Sequence, residues 1–149
     1  MVQSKDIWRK IVVLAVVGGL AFWLTNFAIS LTPIAAEYRA GVSISYFPML
    51  FEALVGGMVI GFFVSYFLVR FFGNIPTKNP ILKSVVLSAI SLIIFTILLE
   101  VPAKFLTNMN DALHYFLIGT LFNVLRILAL GIVIGYVYSK LDGHAASLA

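Results

Sequence analysis

Four long apolar stretches, separated by short polar or proline-bearing segments, restrict what this chain can fold into. The first runs from Ile7 to Leu31 and ends at Thr32-Pro33, the second spans 44–72, the third 81–99 and the fourth 113–138. A helix rising 1.5 Å per residue crosses a bilayer core in roughly 20 residues, so each stretch has the required length. In hydrocarbon every backbone N–H and C=O must be satisfied within its own segment, which makes the α-helix the form for each stretch. The expected fold class is all-α, a four-helix transmembrane bundle, with Pro76, Pro80 and Pro102 placed in the connections.

Four spans leave room only for short connections in 149 residues, so a single transmembrane domain over 1–149 is expected. Charged residues make up 11% of the chain, against about 25% in an ordinary soluble domain. Lys5, Arg9 and Lys10 before an apolar run also fit a signal peptide. The run exceeds the about 7–15 residues of a signal core, which favours a retained anchor.

Basic residues set the expected orientation. With the N-terminus inside, Lys5, Arg9, Lys10, Arg70, Lys78, Lys83 and Lys140 lie on the cytoplasmic side and only Arg39 and Lys104 lie outside, the bias expected of cytoplasmic loops. Both termini are then cytoplasmic, and a prokaryotic plasma membrane is the expected location. The net charge of +4 is spread singly over helix ends. That pattern suits lipid headgroups and gives nucleic acid no continuous basic stripe.

The second and fourth stretches share a pattern. Gly57 to Ser65 reads GMVIGFFVS and Gly131 to Ser139 reads GIVIGYVYS. Five residues before each leading glycine stand Glu52 and Arg126. The first and third stretches match more weakly, at Leu31-Thr32-Pro33 and Glu100-Val101-Pro102. The chain can therefore be read as two parallel-duplicated helical hairpins, or as chance matches among common membrane residues. Gly57, Gly61 and Ser65, with Gly131, Gly135 and Ser139, form small-residue stripes suited to close helix packing within the chain or between copies.

Charge inside a span is costly unless it is paired or lines a cavity. Arg126 falls near the middle of the fourth stretch and Glu52 in the outer part of the second. An ion pair between them, joined by Asn123, is one expectation; Glu100, with Thr96 one turn below it, is the competing partner. Asn26 adds a polar group from the first stretch. These six residues either satisfy one another as a buried network or line an outward cavity for an anionic or zwitterionic ligand or a lipid headgroup.

Motifs for chemistry are sparse. There is no HExxH, P-loop or GxSxG pattern and no cysteine, which removes thiolate metal sites and cysteine nucleophiles. His114 and Asp111, with Glu100, are weak candidates for a metal, and His144 a weaker one. No cofactor is expected. The composition fits a small multi-pass membrane protein without a catalytic motif, acting as an accessory or structural subunit of a larger membrane complex or as a homo-oligomer. The alternative is a transporter or channel component with a cavity around Glu52 and Arg126; a lipid- or quinone-directed enzyme would have only Glu100, Asp111 and His114 to work with.

Overall fold

The computed structural model describes residues 2–107 and 109–147, with side chains over 5–107 and 109–142; the side chain of His144 lies outside that set. Helix α1 spans Val2–Ser30 and is followed by a short helix α2, Pro33–Gly41. Helix α3 covers Tyr46–Arg70 and α4 covers Pro80–Phe95. A π turn over Thr96–Glu100 carries α4 into α5, Val101–Phe105, and the last helix is α6, Ala112–Ser147. Among the described residues four helices are long and apolar enough to cross a membrane: Lys5–Ser30, Tyr46–Arg70, Pro80–Phe105 and Ala112–Asp142. The chain is a multi-pass membrane protein.

Local chemistry sets the breaks. The Thr32 hydroxyl accepts from the Ala35 amide at 3.3 Å, and Pro33 opens α2 where no amide donor is needed. The segment expected as a plain outer connection therefore holds a helix. Asn79 caps α4 in the same way, accepting from Ile81 at 2.9 Å, with Pro80 at the first helical position. Pro102, expected in a connection, instead lies inside the third span. A proline there removes the bond to the carbonyl four residues earlier and crowds it. The π turn answers this, because the Val101 amide reaches five residues back to the Thr96 carbonyl. The third span thus continues to Phe105 rather than ending near residue 99.

The four spans form a ring in chain order. Helices α1 and α3 pack closely, as do α4 and α6, and α1 closes the ring against α6; the α3–α4 seam is the loosest of the four. The glycine stripes lie within the first two of these contacts. A methyl group placed on Gly61 would stand 2.7 Å from the Ala15 carbonyl, and one on Gly57 3.0 Å from the Gly19 carbonyl. On the other hairpin, Gly131 faces Val85 and Ser88, and Gly135 faces Pro80 and Ile81. Ser65 is fully buried, whereas Ser139 is partly exposed and donates to the Tyr136 carbonyl at 2.7 Å.

The start of α1 and the end of α6 lie at one end of the bundle, called terminal here, where Lys10 of α1 pairs with Asp142 of α6 and its ammonium sits 3.8 Å above the Tyr138 ring. The opposite end, called distal here, carries α2 and the segment after α5. In the terminal half the core is filled by Leu14, Val64, Leu68, Leu130, Ile134 and Tyr138. Lys83, buried there, donates to the Phe72 carbonyl and lies 3.6 Å over the Phe72 ring. The outward faces are apolar at helical spacing, as in Val12, Val16, Leu20 and Leu24 on α1, or Leu117, Leu121, Leu125, Leu128 and Ile132 on α6. Such a continuous apolar surface suits acyl chains rather than water.

Candidate functional site

The distal half is built differently from the terminal half. It encloses a cavity of about 280 Å³, to which all four spans and α2 contribute. Phe22, Ile60 and Ile127 separate it from the apolar core below; Asn26, Glu52, Glu100, Asn123 and Arg126 supply its charged and amide groups.

Arg126 is held by a relay rather than by an ion pair. Its Nη1 donates to the Asn123 side-chain oxygen at 3.2 Å, and the Asn123 amide nitrogen donates to Glu100 Oε1 at 3.1 Å. Arg126 and Asn123 are one turn apart on α6, so both point to the same wall and the guanidinium leans toward the distal end. The Phe22 and Phe122 rings flank it at 5.8 and 5.9 Å. The guanidinium Nε is buried without a hydrogen-bond partner, and so is Asn26 Nδ2 on a side chain 1% exposed. A buried donor left unmatched normally costs about 1–3 kcal/mol. Both residues line the cavity, and each carries a donor unmatched among the described residues.

The expected Glu52–Arg126 ion pair is not formed. The ion pairs among the described residues are Lys10–Asp142 and Glu37–His114, the second charged when the imidazole is protonated. Glu52 from the second turn of α3 and Arg126 from α6 both line the cavity, and they make no contact across it. Glu52 is exposed at its edge. Glu100 is connected to Arg126 through Asn123. Thr96, expected one turn below Glu100 on the same wall, does not border the cavity; Leu92, Phe95, Leu99 and Glu100 do. The π turn begins at Thr96 and inserts an extra residue, which resets the phase of the helix by about 100°.

Several residues in or beside the cavity were not among the expected site residues. Tyr38 of α2 packs edge-on against Phe122 at 5.7 Å and Tyr115 at 6.3 Å, and with the buried Ala35 it roofs the cavity. Arg39 donates to the Ser30 carbonyl at 3.2 Å and ties α2 to the end of α1. Lys104 is 5% exposed, its ammonium 4.9 Å from the Tyr38 ring. Gly56 lines the cavity from α3 and has open space where a side chain would go. The adjacent glycines 56 and 57 carried a sequence signal, and Thr32-Pro33 carried one for the start of α2; Tyr38 itself had none.

At the distal surface His114 Nε2 lies 3.3 Å from Glu37 Oε1 instead of meeting Asp111 or Glu100. Asp111 occupies the left-handed region with φ 54°. Among the described residues no three histidines, cysteines or acids gather as a metal site.

Comparison with protein families, with curated proteins and with solved structures finds no match to this chain.

Proposed function

We propose that this protein is a membrane binding protein, a component of a transport system, that accepts an anionic group in its distal cavity. One observation carries the reading: Arg126 borders a cavity of about 280 Å³ with no carboxylate of the described residues within ion-pair distance. A cation in a membrane span with no carboxylate in direct contact is incompletely compensated, and an incoming anion would repay its desolvation. Asn26 Nδ2 offers a second free donor to the same anion.

The basic residues at the terminal end support cytoplasmic termini, with the cavity then in the outer half of a plasma membrane. A duplication of two hairpins is supported by the way each G-x-x-x-G segment packs on the first helix of its own hairpin. That arrangement would bring Glu52 and Arg126, at matched positions, to one cavity.

The test is a thermal-shift series on purified protein in nanodiscs with inorganic phosphate and glycerol 3-phosphate, together with phospholipids of different headgroups in the bilayer. Stabilisation by at least one anion, lost in Arg126→Gln, is expected. No shift with any of them would overturn the reading.

A second reading is favoured by α4. Only 11% of the most apolar window of Pro80–Phe105 is buried, against 28–39% in the other spans. A second copy or a larger membrane complex covering α4 would make the chain an accessory subunit. Cross-linking from Ile90→Cys in native membranes tests this, and a monomer-only pattern would count against it.

A further inference from the structure

We propose that the anionic group belongs to a membrane phospholipid, whose headgroup enters the cavity sideways between α3 and α4 while its acyl chains stay in the bilayer. The inference rests on the anion-binding reading above and adds the ligand class and the route.

The route follows from where the wall is thin. The α3–α4 seam is the loosest in the ring. Gly56, on the α3 side, has nothing within 4 Å of the place a side chain would occupy. Glu52 one turn above it is exposed while lining the cavity, and Leu99 from the third span lines it while 57% exposed. A residue that belongs both to the cavity and to the outside surface marks the mouth, and here the outside surface is the apolar belt. The distal end is roofed instead, since Ala35 and Tyr38 of α2 cover the cavity and Arg39 fastens that helix to Ser30.

Size and charge select the ligand. Pockets for drug-sized molecules run from about 300 to 1,000 Å³, so 280 Å³ accommodates a headgroup and leaves no space for chains. The phosphate is positioned by the free donors of Arg126 and Asn26. Glu52 at the mouth has no partner among the described residues and accepts a hydrogen bond from a headgroup hydroxyl or ammonium. A phosphoglycerol or phosphoethanolamine headgroup offers both functions; a phosphocholine lacks the donor.

The experiment uses the full chain in phosphatidylcholine nanodiscs doped with phosphatidylglycerol, with bound lipid counted by native mass spectrometry. Wild type is expected to retain one phosphatidylglycerol. Arg126→Gln loses the phosphate partner, and Gly56→Leu fills the mouth from a position with open space; each should reduce retention at least tenfold while thermal unfolding shows both variants folded. Equal retention in wild type and both variants overturns the proposal. Glycerol 3-phosphate added from water separates the two readings. If it stabilises wild type and Gly56→Leu alike, with no lipid retained, the anion reading stands and the lipid route fails. If neither lipid nor soluble phosphate binds, both fail.

Discussion

Glu52 and Arg126 face one cavity from different helices without meeting as an ion pair. Their separation distinguishes this bundle from one pinned by a buried salt bridge. Two charges in close contact would satisfy each other and leave the site inert toward ligands. Here the cation is steadied by an uncharged amide that in turn anchors on Glu100, so Arg126 is oriented but not neutralised at contact distance. The rest of the distal half follows from that arrangement, with two aromatic rings beside the guanidinium, a roof of α2 above it and a thin wall at Gly56.

The relay makes Asn123 the structural member of the polar set. Asn123→Ala removes an acceptor from Arg126 and a donor from Glu100 at once. Side-chain hydrogen bonds within membranes average about 0.6 kcal/mol, and a buried group left unmatched costs about 1–3 kcal/mol. A loss of about 1–2 kcal/mol is expected in equilibrium unfolding from mixed micelles. Glu52→Gln, which breaks no contact, should stay within about 0.5 kcal/mol of wild type. Equal losses in the two variants would mean that Glu52 has a stabilising role in the folded bundle.

Close backbone approach gives a second, sharper contrast. A methyl group on Gly61 meets the Ala15 carbonyl at 2.7 Å, and one on Gly135 meets the Pro80 carbonyl at 2.9 Å. Backbone atoms cannot swing aside as a side chain can, so the helices must part. Gly61→Ala and Gly135→Ala should each cost about 1–3 kcal/mol in the same unfolding assay. Gly56→Ala, facing open space, should change stability by less than about 0.5 kcal/mol. A neutral Gly61→Ala would contradict the α1–α3 contact.

These glycines also show what the sequence could and could not disclose. Span length and hydropathy are read from local composition, so four helices were legible, with ends displaced by a few residues. Small-residue spacing is likewise local, and it marked the faces of α3 and α6 that approach α1 and α4. The partner of Arg126 was not legible, because pairing depends on relative depth and rotation across helices, and neither is written along one chain. Thr96 illustrates the point: α-helical spacing puts it under Glu100, but Pro102 forces a π turn that shifts the phase. Helix α2 stayed hidden because it is short and weakly apolar, although Thr32-Pro33 carried its start signal.

At the terminal end, contact between Lys10 and Asp142 predicts a specific chemical product. Zero-length carbodiimide coupling joins an amine to a carboxylate only when the two already touch, so an amide linking residues 10 and 142 is expected. Mass spectrometry of the digested protein would identify it, and Asp142→Asn should abolish it. The stability effect of that substitution should be below about 1 kcal/mol and should shrink with added salt, since the Asp142 side chain is 49% exposed. Absence of the linked peptide would contradict the packing of α1 against α6.

The side of the membrane that the cavity faces can be read from thiol labelling, because the chain has no native cysteine. Gly73 lies in the exposed turn after α3 at the terminal end, and Asn110 is exposed before α6 at the distal end. A membrane-impermeant maleimide added to intact cells should label Asn110→Cys and spare Gly73→Cys until the cells are opened. That outcome places the cavity in the outer half of the bilayer, where the headgroups it draws on belong to the outer leaflet. The reverse pattern would turn the bundle over, contradict the seven-to-two distribution of basic residues as a guide to orientation, and make the inner leaflet the source of the ligand.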